Sequence, residues 1–167
     1  FDSEANAANI AMWEFTDADD PDIGFVYGQP SIVRMANGKW AAIFGNGYNN
    51  SVNDGTASTS GHAVLYILFL DGGDPNTSDP RWQAGEFIKI STKAGSVDTP
   101  NGLAEPAPMD ADGDSSVDFI YAGDLQGNMW KFDVRSTDPA QWKVAFQTGS
   151  GESAVPVPLF RACLDTA

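Results

Sequence analysis

Two stretches decide the fold. Residues 30–47 read PSIVRMANGKWAAIFGNG, and residues 106–127 read PAPMDADGDSSVDFIYAGDLQG. Each opens on a proline, alternates or runs apolar through two short segments, and turns at a polar Gly-containing or Asp-rich tip. That is the signature of an antiparallel hairpin. The first continues into VLYILFLD (64–71) and EFIKIST (86–92), the second into NMWKFDV (128–134) and WKVAFQT (142–148). The two series form an internal repeat in which Pro30 pairs with Pro106, Gly45 with Gly123, Tyr66 with Trp130 and Phe87 with Trp142. The unequal offsets are explained by a longer hairpin tip in the second copy and by the polar loops from Gly45 to Gly61 and from Asp71 to Pro80 in the first.

Each copy therefore reads as four antiparallel strands, one blade of a β-propeller. The expected fold class is all-β: a partial β-propeller of about two four-stranded blades, over residues 30–91 and 106–148, plus flanking strands, in a single domain spanning 1–167. Ala11–Thr16 (AMWEFT) resembles the third strand of a preceding blade, and Val155–Phe160 is expected to begin a following one. Two blades are fewer than the four to eight that close a ring. The ends are expected to be open, or completed by sequence outside this stretch, and Phe1 to be a mature end or the edge of an excised piece.

Composition agrees with this reading. The 167 residues include 17 Gly and 10 Pro, and Asp outnumbers Glu by 18 to 5, a bias toward turns rather than helix faces. Asp plus Glu total 23 against 9 Lys plus Arg, a net charge of −14. Nucleic acid and anionic lipid are disfavoured as partners, because both are held by clustered cations that this chain lacks. No run of about 18 apolar residues predicts a bilayer-spanning helix. Cys163 is the sole cysteine, so no internal disulfide forms.

The strongest chemical motif is Asp110-Ala-Asp112-Gly-Asp114-Ser-Ser-Val-Asp118. It places carboxylates at loop positions 1, 3, 5 and 9, with Ser116 at position 7 to offer its main-chain carbonyl. Calcium takes several oxygen ligands at about 2.3–2.6 Å, and alternating Asp side chains around a tight turn supply them from one short segment. An EF-hand is excluded, because Tyr121 stands where that motif has its bidentate Glu and the flank is strand. The predicted metal site is Asp110, Asp112, Asp114, Ser116 and Asp118, holding Ca2+ rather than magnesium. The second acidic run, Asp17, Asp19, Asp20 and Asp22, is interrupted by Pro21 and is expected to be a solvated turn. His62 has no nearby acid or cysteine in sequence, and Glu86 and Glu105 have no spacing that marks a glycosidase pair. No catalytic residues are assigned.

Several strings resemble, in order, the carboxy-terminal propeller of the PilY/PilC type IV pilus biogenesis proteins, or tip-associated adhesins: WEFTDADD, YGQPSIVRMANGKWAAIFGNGYN, HAVLYILFLD, TPNGLAEPAPMDADGD and VDFIYAGDLQGNMWKFDV. The resemblance covers most of Trp13 to Trp142. It implies a modified propeller exported to the bacterial surface, at the pilus tip or the outer membrane and periplasm. The implied role is in pilus assembly, in opposing retraction, and in adhesion and motility. It implies pilins or minor pilins as partners, with host or abiotic surfaces as adhesion targets, no membrane insertion, and calcium on Asp110, Asp112, Asp114 and Asp118 with the Ser116 main chain. The resemblance does not extend to the amino-terminal von Willebrand A-like region of many members. An alternative is a quinone-dependent dehydrogenase propeller, which YAGDLQGNMWKFDV also resembles; many such enzymes use adjacent cysteines and a complete ring. An integrin-like or polysaccharide-binding calcium propeller would share the Asp loop and differ in its partner.

Overall fold

A computed structural model describes residues 13–48, 51, 55–73 and 81–162. Among the described residues, eleven strands and two single-turn 3-10 segments make up the regular structure. Four of the strands form the first sheet in the order β1 (Ser31–Arg34), β2 (Trp40–Gly45), β3 (His62–Phe69), β4 (Phe87–Gly95), all neighbours antiparallel. In the second sheet β5 (Ala107–Met109), β6 (Phe119–Gly123) and β7 (Asn128–Asp133) pair in the same manner, and β8 (Lys143–Val144) joins the far side of β7. Among the described residues no helix is long and apolar enough to cross a membrane.

The central strands are continuous apolar runs because both faces of the first sheet are covered. Along β3, Leu65, Ile67 and Phe69 face a core shared with Ile120, Trp130 and Phe132 of the second sheet. Val64, Tyr66 and Leu68 point the other way, onto Phe44 and Trp82, with Trp13 and Phe15 packed against them. Strand geometry alone sends successive side chains to opposite faces. The whole of Ala63–Leu68 is completely buried, and truncating a residue such as Leu65 or Ile67 to alanine costs about 2–5 kcal/mol.

Register places the repeat. Phe44 stands opposite Tyr66 and Gly45 opposite Leu65, while Ala122 stands opposite Trp130 and Gly123 opposite Met129. Tyr66 and Trp130 thus hold equivalent positions, as the sequence pairing expects. The outer strands need a correction. Phe87 faces Leu68, and Val144 faces Phe132, so the partner of Phe87 in the repeat is Val144, two residues beyond Trp142.

The carboxy-terminal stretch departs further from expectation. Trp142–Thr148 is not one strand: Lys143–Val144 pair with β7, then β9 (Gln147–Thr148) turns out to pair with β10 (Val155–Pro156). Val155–Phe160 does not begin a following blade, because β11 (Phe160–Arg161) returns to β7, opposite Met129 and Asn128. The outer edge of the second sheet is thereby filled by two separate pieces of chain. Of Ala11–Thr16, the first two residues lie outside the described ones and Trp13–Thr16 form no strand. Cys163 also lies outside.

Candidate functional site

The Asp loop is the tip of the β5–β6 hairpin. Its conformation follows from its own carboxylates accepting from its own amides. The Asp110 carboxylate accepts from Gly113 N (2.7 Å) and Ser115 N (2.8 Å), Asp112 from Asp114 N (3.1 Å), Asp114 from Ser116 N (2.7 Å), and Asp118 from Ala111 N (2.7 Å). Short Asp side chains make such local bonds readily. The Gly113 and Ser115 amides hold the Asp110 carboxyl below the usual carboxylate range. Gly113 (φ 83°) and Ser115 (φ 70°) are in the left-handed region, which glycine tolerates and serine pays for in strain.

Carboxylate oxygens of Asp110, Asp112 and Asp118 all lie within 4.8 Å of one another. Oxygens around a single calcium are separated by at most about twice the 2.3–2.6 Å ligand distance, so the three fit one ion. Asp114 is not in that triplet. Ser116 is buried, and its hydroxyl accepts from Arg34 Nη1 at 3.4 Å. The loop is also tied to the first sheet: Val117 N donates to Arg34 O (2.9 Å), and Met35 and Val117 form a parallel bridge. On the hairpin's own side, Asp118 N donates to Met109 O and Val134 N to Asp118 O.

The other acidic run is not a solvated turn throughout. Asp20 and Asp22 are buried. Lys89 Nζ bridges them, at 2.7 and 3.0 Å from the two oxygens of Asp20 and 2.6 Å from Asp22 Oδ2. The Tyr66 hydroxyl donates to Asp20 (2.8 Å), and the hydroxyls of Ser58 and Ser60 donate to Asp22. Burial alone would raise the Asp22 pKa; the hydrogen bonds and charge of Lys89 and the two serines outweigh it, and the value is lowered. Burial likewise opposes the Lys89 charge, and the two carboxylates overcome it and raise the value. Tyr66 is driven strongly upward by burial and then by the Asp20 charge. This cluster staples the segment before β1 onto β3 and β4.

Two further polar hubs escaped the sequence reading. Asp124, directly after Gly123, accepts from the side chains of Asn101, Asn128 and Trp130, each at 2.8 Å, and from the amides of Gln126 and Asn128. Asn46 holds the same place after Gly45 and joins Asp22 O, His62 O, Val64 N and Leu103 N. The repeat itself carried the signal, since Asn46 and Asp124 align once Gly45 is set on Gly123. Of the remaining candidates, His62 Nδ1 contacts Ser91 Oγ at 3.1 Å. Glu86 accepts from Gln83 N at 2.7 Å, and Glu105 from Gln29 N at 3.2 Å. Only the Glu86 bond is local to a turn; the other two join residues distant in sequence.

Known proteins place this architecture. The model of the PilY1 beta-propeller domain matches residues 3–157. A type IV pilus biogenesis factor PilY1 homolog from Xylella fastidiosa is 40% identical, over 96% of this chain and 10% of its own length. The PilY1 factor of Pseudomonas aeruginosa PAO1 is 37% identical, over 76% of this chain and 9% of its own. The crystal structure of the Pseudomonas aeruginosa PilY1 C-terminal domain superposes with a TM-score of 0.60 at 28% identity, covering 88% of this chain and 30% of that one. The chain spans about a tenth of the length of these curated relatives. Its two face-packed antiparallel sheets are part of a propeller, and the chain belongs to the PilY1 β-propeller domain family.

Proposed function

We propose that this segment is a calcium-binding, non-catalytic part of a type IV pilus biogenesis protein, exported to the cell surface, where it acts on pilus extension and adhesion through contacts with pilins or minor pilins. The observation that carries the cation reading is the convergence of Asp110, Asp112 and Asp118 oxygens within 4.8 Å at a hairpin tip. Those three carboxylates would hold the ion, with Asp114 and the Ser116 carbonyl completing its oxygen shell. Bound there, calcium would supply the positive charge that offsets the mutual repulsion of the converging carboxylates.

The residues around the loop explain why its state would matter. Val117 leaves the loop bonded to Arg34 and bridged to Met35, so the hairpin tip and the β1–β2 turn of the neighbouring sheet are mechanically joined. Ordering the tip orders the junction between the sheets. The pilus reading is supported by the family and by the names of the relatives, all of them pilus biogenesis factors.

The test is made in the full-length protein of a piliated host. Asp112→Ala should be exported and folded yet change the number of surface pili or its dependence on calcium. Wild-type pilus counts and motility at every calcium level would overturn the proposal.

A further inference from the structure

A second feature lies at the opposite end of β5 from the Asp loop, which follows Met109, whereas this one adjoins Pro106. Residues from three segments, 26–28, 44–48 and 103–106, line an open cavity there of about 220 Å3. Phe25 and Tyr48 exchange backbone hydrogen bonds at 2.8 and 3.1 Å, and Gly47 N donates to Leu103 O at 3.1 Å. The floor is closely packed backbone. A Cβ on Gly45 would lie 2.2 Å from Leu103 O, one on Gly47 2.0 Å from Phe25 O, and one on Gly102 1.6 Å from Gly47 O. The cavity is therefore formed in advance of any ligand.

Its rim is an aromatic pair left in water. The rings of Tyr27 and Tyr48 are 5.4 Å apart and tilted by 39°, and Tyr27 is 77% exposed. Glu105 shares the wall, its carboxylate held in place by Gln29 N. Small-molecule pockets run to about 300–1,000 Å3, so this volume suits one side chain rather than a whole ligand. Aromatic faces beside a carboxylate attract a cation, by the ring quadrupole and by charge. A sugar would need several polar side chains for its hydroxyls, and the wall offers Glu105 and two phenols. The net charge of −14 attracts partners of the opposite, basic sign.

We propose that the Tyr27–Tyr48–Glu105 cavity is a docking pocket for a lysine or arginine side chain presented by a protein partner. The pocket stands apart from the cation loop, so its test is run with and without chelator and does not depend on that reading. The probe is acetyl-Gly-Lys-Gly-amide, titrated into the whole chain and followed by NMR at the Tyr27 and Tyr48 rings and the Gly28 and Gly47 amides. Saturable shifts are expected, and acetylation of the lysine Nζ should weaken binding about fivefold or more. Glu105→Gln, which keeps the acceptor for Gln29, and Tyr27→Ala, which removes an exposed ring, should each weaken it to a similar degree. Added salt should weaken the wild type more than Glu105→Gln. The acetylation arm needs no variant and so cannot be confounded by misfolding. Equal binding of the acetylated peptide, no saturable shift up to about 20 mM peptide, or wild-type affinity in both variants would overturn the proposal.

Discussion

Lys89→Met removes one ammonium and little else, since methionine keeps most of the stem that lies on the first sheet. What it leaves is two buried carboxylates, Asp20 and Asp22, whose side chains are 12% and 10% exposed, against 29% for Lys89. Removing one partner of a buried ion pair costs about 3–5 kcal/mol. Partial exposure of the lysine screens the charge, and Tyr66, Ser58 and Ser60 still donate to the orphaned oxygens. Together these lower the expected loss to about 2–3 kcal/mol. In a domain of this size that corresponds to a fall in Tm of about 4–12 °C. Urea titration should show a lower midpoint with an unchanged slope, because the surface exposed on unfolding is the same. The triple variant Lys89→Met, Asp20→Asn, Asp22→Asn should regain at least half the loss, since it removes the uncompensated charge. A single variant within about 1 °C of wild type, outside the range that scaling gives, would show that the cluster does not staple the segment before β1 to the sheet.

Because the Asp22 pKa is lowered below 3.8, its stabilisation is fully present above that pH and is lost as pH falls through the folded value; urea midpoints of wild type and Asp22→Asn should therefore converge in acid. The raised Lys89 value has the opposite sign: that contribution is complete below 10.5 and fades as pH rises past the folded pKa. Asp124→Ala leaves Asn101, Asn128 and Trp130 donors without their acceptor and should cost about 2–4 kcal/mol by urea titration. Gly47→Ala meets both φ 70° and a carbonyl 2.0 Å from the new Cβ; it should lower Tm more than Gly38→Ala, where φ is 84° but nothing lies within 4 Å.

What the sequence made legible was local. Strands β1 to β7 are apolar runs closed by Gly, Asn and Asp, and period and punctuation suffice to find them. The Asp loop is equally local, with spacing and turn chemistry contained in nine residues. The misreadings are all long-range. Asp20 and Asp22 look like a surface turn until Lys89 arrives from 69 residues away, and nothing in TDADDPDIG announces that partner. The split outer edge of the second sheet was hidden for the same reason. Trp142–Thr148 has the composition of one strand, but Phe160 and Arg161 compete for the first half of β7, a choice made by the sheet rather than by either segment. The repeat pairing of Phe87 with Trp142 gives way in the same manner to Val144, the residue that stands opposite Phe132 as Phe87 stands opposite Leu68.

Calorimetric titration of calcium into chelator-stripped protein decides whether the hairpin between Met109 and Phe119 is the calcium site proposed for it. Wild type should bind one ion with a fitted Kd, while Asp110→Ala and Asp118→Ala, each lacking one of the converging carboxylates, should lose measurable binding with their strands intact. Calcium at about 100 times that Kd should then stabilise wild type by about 2.7 kcal/mol. An absence of binding heat at millimolar calcium, or equal affinity in wild type and both variants, would contradict the claim.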